Sequence, residues 1–540
     1  MKNKVDFKLN SSVNRLEMII SIIIICYQVL YTIIPIRQVF HFLHISTIAP
    51  ILVIIGFGFS VLDLLTNRYF LKAKYSYFLI ATLVVLTVSA FVNINYSIVA
   101  NAKIIIWQAV QMLFLYTAAW RMPKEKLKKT SFICYAIISI TYVISAIVSI
   151  VQFLTLNSYH TVSLKDGVSI RQGFSDGRLF GVFSTPYFAT MVAALIMLIS
   201  PYLFKRTKNV LLKVWYCFSS YVLLMYILLT KTRSIIVALA VAFIVFMVLM
   251  VRNEIYKNRS NNQPLKQLHK RLFMLVSTIA VAFLISIGGF AVINNAHTIF
   301  PSDKVIITDD TTANQNNSNI NDNDSVDGDN TNNNDENPFD NQDNNNNNAS
   351  DNSSDNNLIF DPDSTIIDED SFHRNDTGKD ISNNRFKIWK NYVDAISKSP
   401  KSAIFGFSAG NYMEAIRDQN PDIYIVKYFE EKQTILFERG RIYDTHNGYL
   451  SIYVMTGILG VLVFGSFLIL CIIKCAKHLF SKRKISDTVM LTTVMVVTIL
   501  VSIFFDSDLF FRCTSTSVIF WFVAGILMHK IEEDEKIIEN

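Results

Sequence analysis

Cysteine is scarce and poorly placed for cross-linking. The 540 residues hold six (Cys26, Cys134, Cys217, Cys471, Cys475, Cys513), all in or at the ends of apolar runs, with no C-x-x-C pair and no histidine at metal-ligand spacing. They read as small buried apolar residues, which speaks against a structural zinc site or a redox motif. The polar stretch 294–447 has none, so no disulfide framework holds it. Lysine and arginine are missing throughout 305–373. A glycine-rich phosphate loop is also lacking, which argues against nucleotide binding. Asp and Glu are nearly absent from the centres of the apolar runs and no internal repeat is visible, against the pattern expected of a transporter.

What the chain has in excess is hydrocarbon. Apolar residues make up 51% of it and mean hydropathy is +0.34, beyond what a soluble domain tolerates. About twelve runs reach the roughly 20 residues that cross a bilayer core. They lie near 18–36, 46–66, 76–94, 102–120, 131–153, 181–203, 211–229, 234–251, 272–293, 448–473, 487–505 and 509–528. An all-α polytopic membrane protein is expected, in the bacterial cell (inner) membrane and surrounded by its lipids. The first run lacks a small-residue cleavage site and reads as a retained helix.

Cations set the orientation, since positive loops stay cytoplasmic. Arg68, Lys72 and Lys74 share one short loop; Arg121, Lys124, Lys126, Lys128 and Lys129 the next alternate one; then Lys205, Arg206, Lys208 and Lys213, followed by the basic loops 252–271 and 474–484. The loops between carry scattered cations such as Arg37, Lys103 and Arg512. Both termini are therefore expected in the cytoplasm. The net charge of +7 belongs to these loops, so no nucleic-acid partner is inferred.

Two outer segments exceed a turn, 154–180 and 294–447. The expected division is a membrane domain at 1–293 with helices 1–9, an Asn/Asp-rich insertion at 294–384, a helical cap at 385–447, helices 10–12 at 448–530 and a tail at 531–540. The Asn/Asp/Ser composition of 309–384 is too polar to build a core, and it is expected to be disordered. Its stretch 321–330 fails as a calcium loop, because Asn334 stands where the bidentate glutamate belongs. From Arg385, Phe386, Trp389, Tyr392, Val393 and Ile396 recur at helical spacing, predicting an amphipathic helix that ends at Pro400. Gly406 and Gly410 predict a turn, and further short helices follow, the last near 422–438.

Ionisable side chains at the edge of a membrane domain are costly and so are functional candidates. Arg178 precedes the sixth run, Arg233 sits in the short T-K-T-R-S turn, Arg385 opens the cap helix and His446 precedes the tenth run. On the expected topology all four face outward. An arginine there can also snorkel to lipid phosphates, and a lone histidine can be a satisfied interfacial residue. Arg233 breaks the positive-inside pattern, which calls for something anionic beside it.

The run His446-Asn447, nine residues, then Gly457-Ile458-Leu459-Gly460 resembles the signature of the O-antigen ligase and polymerase family. Val461 departs from the Thr found there in some ligases. The stretches 178–190, 230–234 and 385–412 are similar to the same family and lie in the same order. The resemblance implies a GT-C-like bundle with a large extracytoplasmic loop between helices 9 and 10. It also implies essential roles for Arg178, Arg233 and His446, with Arg385, Tyr443, Asp444 and Asn447 as further substrate-binding or orienting candidates.

Joining lipid-linked sugars requires a base for the attacking hydroxyl and cations for the departing diphosphate. Imidazole, titrating near about 6.5, suits the first task; arginine forks suit the second. The expected substrate is a polyprenyl-diphosphate-linked oligosaccharide, with a flippase and a chain-length regulator as partner candidates. The first outer loop, R-Q-V-F-H-F-L-H, lacks the acidic residue used by metal-dependent membrane glycosyltransferases of related architecture. No metal and no cofactor is therefore expected. Asp506 and Asp508, at the outer end of the last hairpin, are expected either to pair with an arginine or to be solvated. Polymerisation of repeat units is preferred over ligation to another acceptor, because the Asn, Lys and Ile bias suggests a host without a lipid A core. A transporter or flippase is the alternative from another class.

Overall fold

The computed structural model describes residues 2–66, 68–162, 169–175, 177–260, 288–293, 295–296, 305–307, 366–368, 385–432, 434–481 and 484–539. Six helices among them are long and apolar enough to cross a membrane: Ile98–Arg121, Lys124–Leu154, Pro186–Arg206, Val210–Leu229, Arg233–Lys257 and Gly448–Leu479. Three shorter apolar helices, Pro50–Leu65, Ser76–Val92 and Asp487–Ser502, fall on other expected runs. The run expected at 272–293 lies outside the described residues except for helical 288–293.

In chain order the membrane part comprises α1 (Lys2–Leu30), α2 (Ile34–Phe42), α3 (Ile45–Leu65), α4 (Tyr69–Lys72), α5 (Ser76–Val92), α6 (Ile98–Ala109), α7 (Ala118–Arg121), α8 (Lys124–Leu154), α9 (Pro186–Arg206), α10 (Val210–Leu229) and α11 (Arg233–Ser260). The cap comprises α12 (Arg385–Ser397), α13 (Pro400–Phe405), α14 (Tyr412–Gln419), α15 (Tyr424–Lys432) and α16 (Thr434–Glu438). The chain then returns through α17 (Gly448–Leu479), α18 (Asp487–Ser502) and α19 (Ser515–Glu539). Between α6 and α7 a π-helical turn, Val110–Leu115, is held by Arg121, which donates to the carbonyls of Leu113 (3.0 Å) and Phe114 (2.7 Å).

Four details differ from expectation. The segment 154–180 holds an antiparallel sheet, β1 (Ser158–Val162), β2 (Ser169–Ser175) and β3 (Arg178–Gly181), in a mostly helical chain. Burial alternates along β3, as on a pleated strand. Within the stretch expected to lack structure, β5 (Ile366–Asp368) pairs in parallel with β4 (Val305–Ile307), two short runs rich in β-branched residues. Pro400 does not end the first cap helix but opens α13, where a residue without an N–H is tolerated. The buried face of α12 is also rotated from the expected stripe: Ile388, Tyr392, Ala395 and Ile396 pack inward, while Phe386 and Val393 are exposed.

One end of the bundle collects the polar elements. Ile34 and Ser184 bind across the α1–α2 turn, Ile34 N–H to the Val182 carbonyl and Ser184 N–H to the Thr32 carbonyl. The Tyr226 hydroxyl, at the end of α10, donates to the Phe180 carbonyl in β3 (3.4 Å). Gly448 N–H at the start of α17 donates to the Ile503 carbonyl just past α18 (2.8 Å). The sheet, the α10–α11 turn, the cap and the loop 503–514 thereby share that end.

Candidate functional site

His446 sits immediately before α17 with its backbone in the left-handed region (φ 45°), a conformation that costs energy for any residue with a Cβ. Its neighbour explains how it is held. Asn447 caps α17: its Oδ1 accepts from the Tyr449 and Leu450 N–H groups, each at 3.0 Å. Thr445 is fixed on the other side, with its N–H on Asp444 Oδ1 (2.6 Å) and its hydroxyl against that of Ser451 (2.6 Å). The half-buried imidazole is thus carried by a backbone pinned before and after it.

Around it stand three carboxylates with different environments. Arg512 Nη2 donates to Asp444 Oδ2 (2.6 Å) and to the Tyr412 hydroxyl (2.7 Å), and Tyr412 donates to Asp444 Oδ1 (2.7 Å). Burial works to raise the Asp444 carboxyl, but the Arg512 guanidinium, the Tyr412 hydroxyl and nearby His446 outweigh it and hold it below the ordinary carboxylate range. Asp506 and Asp508 go the other way. Burial raises both, the negative charge of Asp506 raises Asp508 further, and the contact between the two carboxyls raises Asp508 and lowers Asp506, while His446 favours the charged form of Asp506. The arginine of the loop makes its direct ion pair with Asp444 and acts on Asp508 through its charge, and neither carboxylate of the pair is fully exposed.

Tyr187, one residue into α9, places its hydroxyl 3.1 Å from that of Ser502 at the end of α18. It lies within the fields of Asp506, Asp508 and Arg385, so α9, the 503–514 loop and the start of α12 converge here. Arg178 opens β3 and is half-buried; Arg233 opens α11 and is exposed. The Tyr226–Phe180 bond sets β3 beside the end of α10, the helix that precedes Arg233. Lys231, between α10 and α11, takes a left-handed backbone (φ 51°) that lets the T-K-T-R turn close in so few residues. Tyr443 gives its carbonyl to the Tyr392 hydroxyl of α12 and stacks on Tyr428 (6.0 Å) and edge-on to Phe429 (4.8 Å).

Sequence reasoning passed over Arg512, Tyr412 and Tyr187. Arg512 carried a signal: the polar run R-C-T-S-T-S at 512–517 interrupts what otherwise reads as an apolar hairpin. The tyrosines carried none, being aromatic residues among many.

Residues 218–465 match the O-antigen ligase family model. That stretch takes in the T-K-T-R turn, the cap and the whole His446–Gly460 run, so the resemblance read from the sequence is confirmed over it. No curated protein matches the chain. The match points to a chemistry of lipid-linked glycans for the matched stretch and names neither a substrate nor a reaction for the chain. With six helices of spanning length, the chain is an integral membrane protein. No group of three or more metal-ligating side chains is assembled among the described residues.

Proposed function

We propose that this protein polymerises polyprenyl-diphosphate-linked oligosaccharide repeat units at the extracytoplasmic face, with His446, Arg178 and Arg233 as its reacting-centre residues. The observation that carries the reading is the setting of His446: a strained, doubly pinned backbone beside carboxylates of opposite protonation preference, within the stretch that matches the family. An acceptor hydroxyl attacks the anomeric carbon as the bond from that carbon to the diphosphate oxygen breaks. The hydroxyl proton passes to the imidazole, and the diphosphate departs with the bonding pair. Asp444, whose carboxyl is held in its charged form, stands near the positive charge that the ring then carries. Arg178 and Arg233, and Arg385 beside Tyr187, supply donors for the charge that grows on the leaving group.

The site end is extracytoplasmic and both termini are cytoplasmic on the charge pattern of the loops. Ligation of a finished glycan to another acceptor would use the same groups. The test is the chain length of glycan on lipid carrier in cells whose only copy carries His446→Ala or Arg233→Ala, with protein level in the membrane verified. Accumulation of single repeat units supports polymerisation. Long lipid-linked chains that fail to reach their final acceptor would replace it with ligation; unchanged glycans in both variants would remove the site.

A further inference from the structure

The second half of the 446–460 run consists of Gly457 and Gly460, which have no side chain to offer a substrate, and the packing around Gly457 shows another use for it. α17 is broken at that residue, whose backbone (φ 63°, ψ −164°) is open to glycine alone. A break in a helix strips carbonyls of their i+4 donors, and at or near membrane depth those carbonyls must find partners in the protein. They find them in the cap. Phe407 N–H donates to the Val454 carbonyl (2.8 Å) and Ser408 N–H to the Met455 carbonyl (3.1 Å), with the Ser89 hydroxyl of α5 adding a second bond to Met455 (2.9 Å).

The approach is backbone against backbone. A Cβ on Gly457 would stand 2.3 Å from the Ile404 carbonyl carbon and oxygen, and one on Gly406 (φ 71°) 2.5 Å from the Met455 carbonyl carbon and the Thr456 nitrogen. Two asparagine amides close the ends of the loop: Asn93 Nδ2 donates to the Gly406 carbonyl (3.0 Å), and Gly410 N–H donates to Asn101 Oδ1 (2.8 Å). Phe407 and Ser408 between them are fully buried. The break also divides α17 by length. Residues 458–479 span about 33 Å at 1.5 Å per residue, a bilayer core, and it is from Ile458 onward that apolar side chains such as Leu462, Ile469 and Ile472 become exposed. The preceding segment, 448–456, is mostly buried and carries His446 at its start.

We propose that residues 406–410 form a plug seated in the break of α17, and that this joint positions His446. The cap it anchors reaches the loop that leads to the histidine twice, through Tyr392 on the Tyr443 carbonyl and Tyr412 on Asp444. Gly406, Gly410, Gly457, Asn93 and Asn101 are then positioning residues, and none touches the reacting atoms. The seating stands on geometry alone; its effect on turnover rests on the function proposed above.

The test uses the full chain in nanodiscs, with Asn93→Ala and Asn101→Ala as variants that leave every glycine in place. Amide hydrogen exchange in 385–412 should rise by about tenfold or more while that of 458–479 is unchanged. With a polyprenyl-diphosphate-linked repeat unit as substrate, kcat should fall by about tenfold at unchanged KM. Unchanged exchange in the cap overturns the joint. A raised KM at unchanged kcat, or faster exchange at unchanged kcat, overturns the positioning. Failure of the functional reading itself shows separately, as full turnover by His446→Ala with wild-type cap exchange.

Discussion

Replacing Arg512 by methionine keeps the length of the side chain and removes a guanidinium that joins the cap, the segment leading to His446 and the last loop. Its Nη2 makes two short bonds, 2.6 Å to Asp444 and 2.7 Å to Tyr412. The two charged side chains are 22% and 23% exposed, which places the pair between surface ion pairs and fully buried ones. Exposed pairs contribute about 0.2–1 kcal/mol, and breaking a buried pair from one side costs about 3–5 kcal/mol, so a loss of about 2–3 kcal/mol is expected here. That is roughly a hundredfold in the folding equilibrium. The assay is the unfolding midpoint in mild detergent as a function of pH. Asp444 is depressed in the fold, so the stability it contributes is present above the ordinary carboxylate range and is lost as pH falls through its lowered value. The variant's deficit should therefore be full at neutral pH and shrink in acid as the carboxyl protonates in both proteins. An equal deficit at both pH values would refute a role exerted through the charge pair and leave only lost packing.

Further outcomes follow from single contacts. Asn447→Ala removes the cap of α17 and should cost about 1 kcal/mol, with Asn447→Asp restoring most of it in the same unfolding measurement. Asp508→Asn mimics the proton that burial and Asp506 keep on that carboxyl; since the raised group loses stability as pH rises from the ordinary range through its folded value, the variant should be as stable as the parent or more so at neutral pH. Gly460→Ala would bring a Cβ to 1.7 Å from Thr456 Oγ1 and 2.4 Å from Thr456 Cβ, so membrane accumulation should fall.

How far the sequence carried differs between the membrane and the site. Long apolar runs report helices directly, since each must be wide enough for a bilayer whatever its neighbours are, and α8 through α11 lie where hydropathy placed them. The His446–Gly460 run was legible as a pattern and not as a mechanism. Nothing in the spacing says that Asn447 caps a helix, that Gly457 breaks one, or that Gly406, fifty residues earlier, fits into the break. Those are contacts between distant segments. Arg512 shows the same limit: its cation was visible, while its choice of Asp444 over the nearer Asp506 and Asp508 depends on which carboxylates the loop 503–514 turns toward one another. The sheet at 158–181 was missed because its strands are short and its side chains mixed.

The central claim is that His446 takes the proton of the attacking hydroxyl. The most direct measurement is single-turnover glycosyl transfer by purified His446→Gln in nanodiscs, with a lipid-linked repeat unit as both donor and acceptor. The account predicts a rate lower by about a hundredfold or more, the scale of general-base catalysis, with donor binding retained. Transfer at the parental rate by a well-folded His446→Gln protein would contradict it.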